Sequence, residues 1–255
     1  MATAATSEDT IRPRATPQAE RRFWFWLVIA MMLIVLAGFS HGFYLRPWVD
    51  FPYPKPVLSP FVMLHGAVFT GWMVLLLAQV SLVGAGRRDV HRVLGVFGFV
   101  LAAAMIPLMY LVAVGQAARG SNPPIATPLD WTVVPLSGLP VMVVILALGW
   151  RTARRSDFQA HKRLMIGFTM MMLEPATGRL PLGPPGLMTN AALGVLALQP
   201  FLALFWWDRR QMRRMHWASV TGAALAVVAW AFRNWFLFHP GQWTPVARMM
   251  PGVAG

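Results

Sequence analysis

The sequence predicts an all-α integral membrane bundle of about seven transmembrane helices. Three observations predict it: a charge-poor composition, apolar blocks of bilayer length, and the alternation of basic residues from one side to the other. Of 255 residues, 57% are apolar and 12% charged, against roughly 25% charged in an ordinary soluble domain. A hydrocarbon core about 30 Å thick takes about 20 apolar residues per helix. Blocks of that kind run over Phe23–Leu45, Pro60–Gly84, Val93–Gln116, Trp131–Trp150, Leu164–Leu173 with a ragged extension towards Arg179, Leu187–Trp207 and Trp217–Phe238. They divide the chain into a cytoplasmic tail over 1–22, a seven-helix domain over 23–240 and a short external tail over 241–255. The Ala, Thr, Ser, Pro and charged residues of the first tail predict disorder.

A formal net charge of +13 in a soluble protein points to nucleic acid. Here the positions of the bases give a different account. Sixteen of the 22 basic residues precede span one or lie between spans two and three, four and five, and six and seven. Arg46, Lys55, Arg119, Arg179, Arg233 and Arg248 fall on the other side. Excess Lys and Arg marks cytoplasmic loops, so this alternation predicts an N-in, C-out orientation, with lipid as the main partner and no nucleic acid.

Taken in order, span one follows Arg21-Arg22, and its apolar run with Val35-Leu36-Ala37 also matches a signal-peptide pattern, although the run continues through Gly38-Phe39-Ser40-His41. The outer connection from Arg46 to Pro56 has four prolines that stop helix. Pro60 then suits the first position of span two, where a missing N–H is harmless. Spans three and five open on one pattern of a basic pair, an acid, a His and a further base: Arg87-Arg88-Asp89-Val90-His91-Arg92, and Arg154-Arg155 through Asp157 to His161-Lys162-Arg163. Arg213-Arg214-Met215-His216 opens span seven in a shorter version. Glu174-Pro175 interrupts span five, and broken helices in membranes sit where protein or a cavity surrounds them.

Ionisable residues inside a membrane are expensive and carry the sharpest functional signal. Glu174, Arg179 and Arg233 are the candidates, in the outer half; they form either a packing pair with a snorkelling arginine or a structural or proton-linked network. The six histidines fall into two layers: His41, His65 and His239 towards the outside, and His91, His161 and His216 at the inner starts of spans three, five and seven. A neutral imidazole ligates metal. Haem b between facing helices would take His65 with His41 in an outer site and His91 with His161 in an inner one. Contact with lipid phosphate, quinone binding and proton handling remain open for the same residues. In span two, His65, Trp72 and Gln79 recur at seven-residue steps and share a face. That stripe faces the bundle, as packing or as lining for a cofactor or proton path.

Some chemistries are excluded. Absence of cysteine removes disulfides and thiolate metal sites. The seventh span has no lysine for a retinal Schiff base, no two histidines have desaturase spacing, and no phosphate-cradling glycine loop is present.

With Leu64-His65-Gly66, Gly71-Trp72 and Gln79, His91-Arg92-Val93-Leu94-Gly95, His161-Lys162-Arg163-Leu164-Met165, Pro175-Ala176 and Arg179 in view, the chain resembles a group of bacterial multi-span proteins without an assigned activity, over roughly residues 23–207. That resemblance implies fold and a multi-pass place in a bacterial inner membrane. A looser one, to two-haem b-type cytochromes of six helices, implies that His65, His91 and His161 act as haem ligands, with His41, His216 or His239 as the fourth. The functional expectation is haem-b-associated or quinone-linked membrane electron transfer, with a quinone or redox partner. The alternative is a transporter-like or membrane-complex assembly component with an intramembrane Glu/Arg network.

Overall fold

The computed structural model describes residues 16–49, 58–120, 122, 125–180 and 187–253. The first fifteen residues of the expected tail, most of the proline-rich outer connection and the run from Pro181 to Gly186 lie outside these. Among the described residues the structure is helical, with no strand. Helix α1 covers Pro17–Phe39 and continues as one π-helical turn, Ser40–Tyr44; α2 is Pro60–Gly84, α3 Arg88–Ala118, α4 Pro128–Trp131, α5 Val133–Arg154 and α6 Phe158–Met170. Then follow α7 Glu174–Thr177, α8 Leu187–Ala197, α9 Gln199–Met212, α10 Trp217–Phe238 and α11 Thr244–Arg248.

Local chemistry explains most boundaries. Thr16 and Ser59 cap α1 and α2 by accepting from Ala19 N and Val62 N at 3.2 and 3.3 Å, each with proline at the first helical position. Asp157 does the same for α6, accepting from Ala160 N at 3.0 Å. The α2–α3 turn passes through Gly86 at φ +76°, where a side chain would be strained.

Six helical stretches are long and apolar enough to cross a membrane: Pro17–Tyr44, Pro60–Gly84, Arg88–Ala118, Pro128–Arg154, Met188–Met212 and Trp217–Phe238. The fifth expected span differs. Helix α6 has 13 residues, about 20 Å of helix, and is followed by turns over Met171–Leu173 before α7. It is also the most enclosed element. Ile166, Gly167, Phe168, Thr169 and Met170 are all buried, so no face of this stretch is left for lipid. A helix walled by protein has no need to be apolar, which is why it reads weakly in hydropathy.

The two ends also differ from the expected tails. Helix α1 starts at Pro17, within the stretch read as a tail. The carboxy-terminal segment folds back: Asp130, 2% exposed, accepts from Gly241 N at 3.1 Å and from Thr244 Oγ1 at 2.9 Å, while Trp243 Nε1 donates to Thr132 Oγ1 at 2.9 Å. A small second core of Ala113, Val133, Leu136, Leu237, Trp243 and Ala247 closes beneath it.

Candidate functional site

The densest polar chemistry lies at the arginine-rich end, on the first turns of α6, where consecutive side chains fan out to different helices. Arg163 Nε and Nη2 donate to Asp208 Oδ1 of α9 at 2.9 and 2.5 Å, and Nη1 donates to the Gln159 carbonyl and Oε1, both at 2.8 Å. Both side chains of the pair are enclosed, at 1% and 0% exposure. The other carboxylate oxygen accepts from His216 N at 3.0 Å, tying the start of α10 to the same point. Lys162 forms an ion pair with Glu20 of α1, and both cations lie over the Trp24 ring, at 5.2 and 5.6 Å from its centroid. His216 Nδ1 accepts from Ala218 N at 3.1 Å, so the imidazole itself caps α10. Burial, and then the nearby Arg163 charge, push its pKa down to about 4.

The inner histidines sit beside this cluster. His161 Nδ1 lies 2.9 Å from the Gly149 carbonyl of α5; a carbonyl only accepts, so Nδ1 carries the proton and Nε2 keeps a lone pair. His91 meets Gln79 of α2. The amide orientation that satisfies both Gln79 atoms has its nitrogen donating to His91 Nδ1 and, at 3.2 Å, to the His91 carbonyl, while its oxygen accepts from Gly95 N at 2.9 Å. Neutral His91 then holds its proton on Nε2. His91 and His161 lie within Coulombic reach of each other.

Of the other members of the span-two stripe, Trp72 is buried and donates through Nε1 to Thr169 Oγ1 of α6 at 3.1 Å. His65 packs on Phe69, ring centroids 4.1 Å apart, and its Nδ1 is buried with no partner. His41 sits in the π-helical turn, exposed, with Nδ1 3.0 Å from Ser40 Oγ. No hydrogen bond or ring contact joins His41 to His65.

A third cluster lies near the α7 break. Glu174 and Arg233 form an ion pair, with side chains 22% and 4% exposed. Arg233 Nη2 occupies the space a side chain at Gly194 would take, and Trp230 Nε1 donates to the Ala191 carbonyl at 3.2 Å, so α10 seats closely on α8. Three buried polar atoms on these two helices have no partner: Asn190 Oδ1 on α8, and Arg233 Nε and Asn234 Oδ1 on α10. Arg179 stands apart from the pair. Its guanidinium stacks on Phe39 at 4.8 Å and donates to the Pro175 carbonyl at 2.6 Å.

The haem expectation meets these residues unevenly. His161 has its Nδ1–H held by a carbonyl, which leaves Nε2 as the nitrogen that could ligate a metal. His91 presents Nε2–H, a donor and not a ligand, while Gln79 holds its other nitrogen. The outer pair shares no hydrogen bond or ring contact. Among the described residues no three His, Asp or Glu side chains group as a metal site.

Sequence reasoning missed Arg163 and Asp208, counting the first as a loop base and passing over the second. The signal was scarcity. With nine acidic residues in the chain, each acid placed among many arginines had a partner to find: Glu20, Asp89, Glu174 and Asp208 are all in ion pairs.

No protein-family model, curated protein or solved structure matches the chain.

Proposed function

We propose that the chain crosses the bacterial inner membrane seven times, amino terminus inside, with α6 and α7 as the enclosed fifth crossing, and that it is a transporter-like, proton-linked membrane component centred on Glu174 and Arg233. One observation carries this reading: a mostly buried ion pair stands at an interrupted helix, and Arg233 Nε of that same pair is buried with no partner, as are polar atoms of Asn190 on α8 and Asn234 on α10. Broken helices with free polar groups are where membrane proteins place ion and solute sites, and a lone packing pair leaves those three atoms unexplained.

The test separates structure from function. Glu174→Gln removes one partner of a mostly buried pair, with an expected cost of about 3 kcal/mol. Glu174→Gln with Arg233→Met removes the orphaned charge and restores most of that stability. In vesicles loaded with a pH-sensitive dye, the wild type is expected to pass protons above the level of empty vesicles, and the refolded double variant is not. A double variant that keeps both stability and flux leaves the pair with a packing role alone.

A second reading, haem-b-associated or quinone-linked electron transfer, keeps the support of His161, whose ring is held as an axial ligand is held. His161 would hold haem iron through Nε2, and His91 could join it only with the Gln79 amide reversed. The absorption spectrum of detergent-purified protein, oxidised and then reduced with dithionite, decides this. Bis-histidine haem gives a sharpened α-band, and a colourless preparation made with ample haem ends the reading.

A further inference from the structure

We propose that two tryptophan–arginine pairs on the arginine-rich rim, Trp150 with Arg154 and Trp206 with Arg210, are docking points for the phosphate of an anionic phospholipid. The Arg154 guanidinium carbon lies 6.0 Å from the Trp150 ring and that of Arg210 lies 5.4 Å from the Trp206 ring. Stacking fixes the plane of each guanidinium, so less side-chain freedom is lost when its free N–H edge meets a phosphate. Each indole also bridges two helices at the rim. Trp150 of α5 packs on Phe99 of α3, centroids 4.4 Å apart, and Trp206 of α9 on Phe23 of α1, 6.4 Å apart. Both rings stay open, at 37% and 55% exposure.

The charge around them is uncompensated. Exposed Arg151 and Arg155 flank the first pair, and exposed Arg209 and Arg213 the second. Among the described residues, the acids on this rim are already engaged: Asp89 with Arg87, Glu20 with Lys162, Asp208 with Arg163, and Asp157 with the α6 amides. No described acid is left to neutralise these arginines. An indole beside each guanidinium, at the end of a bilayer-length helix, places that charge at headgroup depth, where a lipid phosphate is the anion at hand.

Heat unfolding of the protein in phosphatidylcholine vesicles, with and without phosphatidylglycerol, tests this. Anionic lipid is expected to raise the midpoint by about 4 °C, and Arg154→Gln with Arg210→Gln to abolish most of the rise while leaving the phosphatidylcholine midpoint unchanged. If that variant does not fold, Arg154→Lys with Arg210→Lys is expected to keep about half of it, since lysine retains charge without the planar fork. Equal midpoints in the two lipids, or a rise undiminished in both variants, overturns the proposal. So does an equal rise with inorganic phosphate in phosphatidylcholine, which would make the ligand a free anion.

Discussion

Arg163 shows how much one side chain settles in this protein. It holds α6 to α9 through a carboxylate from which water is excluded, and that carboxylate also receives the first amide before α10. Arg163→Met would leave Asp208 charged and alone, with an expected loss of about 4 kcal/mol. Arg163→Met with Asp208→Leu should recover most of it, read as thermal midpoints in detergent. His216 gives a pH signature. Its folded pKa of about 4 lies below the ordinary imidazole value of 6.5, so between those values the unfolded chain binds a proton that the folded one refuses. Stability is then full above pH 6.5, falls towards pH 4 and levels off below it. Protonation also turns the Nδ1 acceptor into a donor and removes the cap on α10. His216→Asn, which keeps a capping oxygen without titrating there, should flatten that stretch of the midpoint-versus-pH curve.

Among the elements, close approach is set by glycines at particular crossings. At Gly38 an added Cβ would meet the Ala176 backbone, 2.6 Å from its carbonyl carbon, and backbone cannot swing aside. Gly38→Ala should therefore push α1 away from α7, with an expected loss of about 2 kcal/mol. Gly71, on α2, has nothing within 4 Å of the same added atom. Gly71→Ala should leave the midpoint unchanged or raise it slightly, since alanine favours helix by about 1 kcal/mol. The contrast also marks the limit of reading elements from sequence. Gly66 and Gly71 look alike in the chain, yet Phe43 from the π-helical turn covers the first and nothing covers the second. The fifth span was faint for a related reason. Its polar residues Arg163 and Thr169 are satisfied by partners on other helices or in its own preceding turn, and hydropathy scores side chains as though each faced lipid.

For the whole molecule, orientation is the decisive property. The chain has no cysteine, so single cysteines report cleanly. In intact cells an impermeant maleimide should label Gln242→Cys, at an exposed position, and Arg155→Cys only after lysis; the reverse pattern would invert the membrane reading and every inner and outer assignment with it. The carboxy-terminal segment, expected as a short tail, is instead fastened by a buried aspartate to α4. Local sequence could not show this, because the partners Asp130 and Thr244 are 114 residues apart.

The linear order of residues by itself determined helices, their approximate ends, six of the membrane-length stretches and the one-sided placement of arginine. Those properties are local, arising from hydropathy summed over about 20 residues, caps three residues apart and charge counted loop by loop. Tertiary structure alone decided which charges neutralise one another, that α6 is enclosed by protein, and that Gln79 attends His91 while His41 and His65 stay apart. Such pairings depend on which faces of distant helices meet, and with 22 basic residues against nine acidic ones the chain offers more partners than it uses.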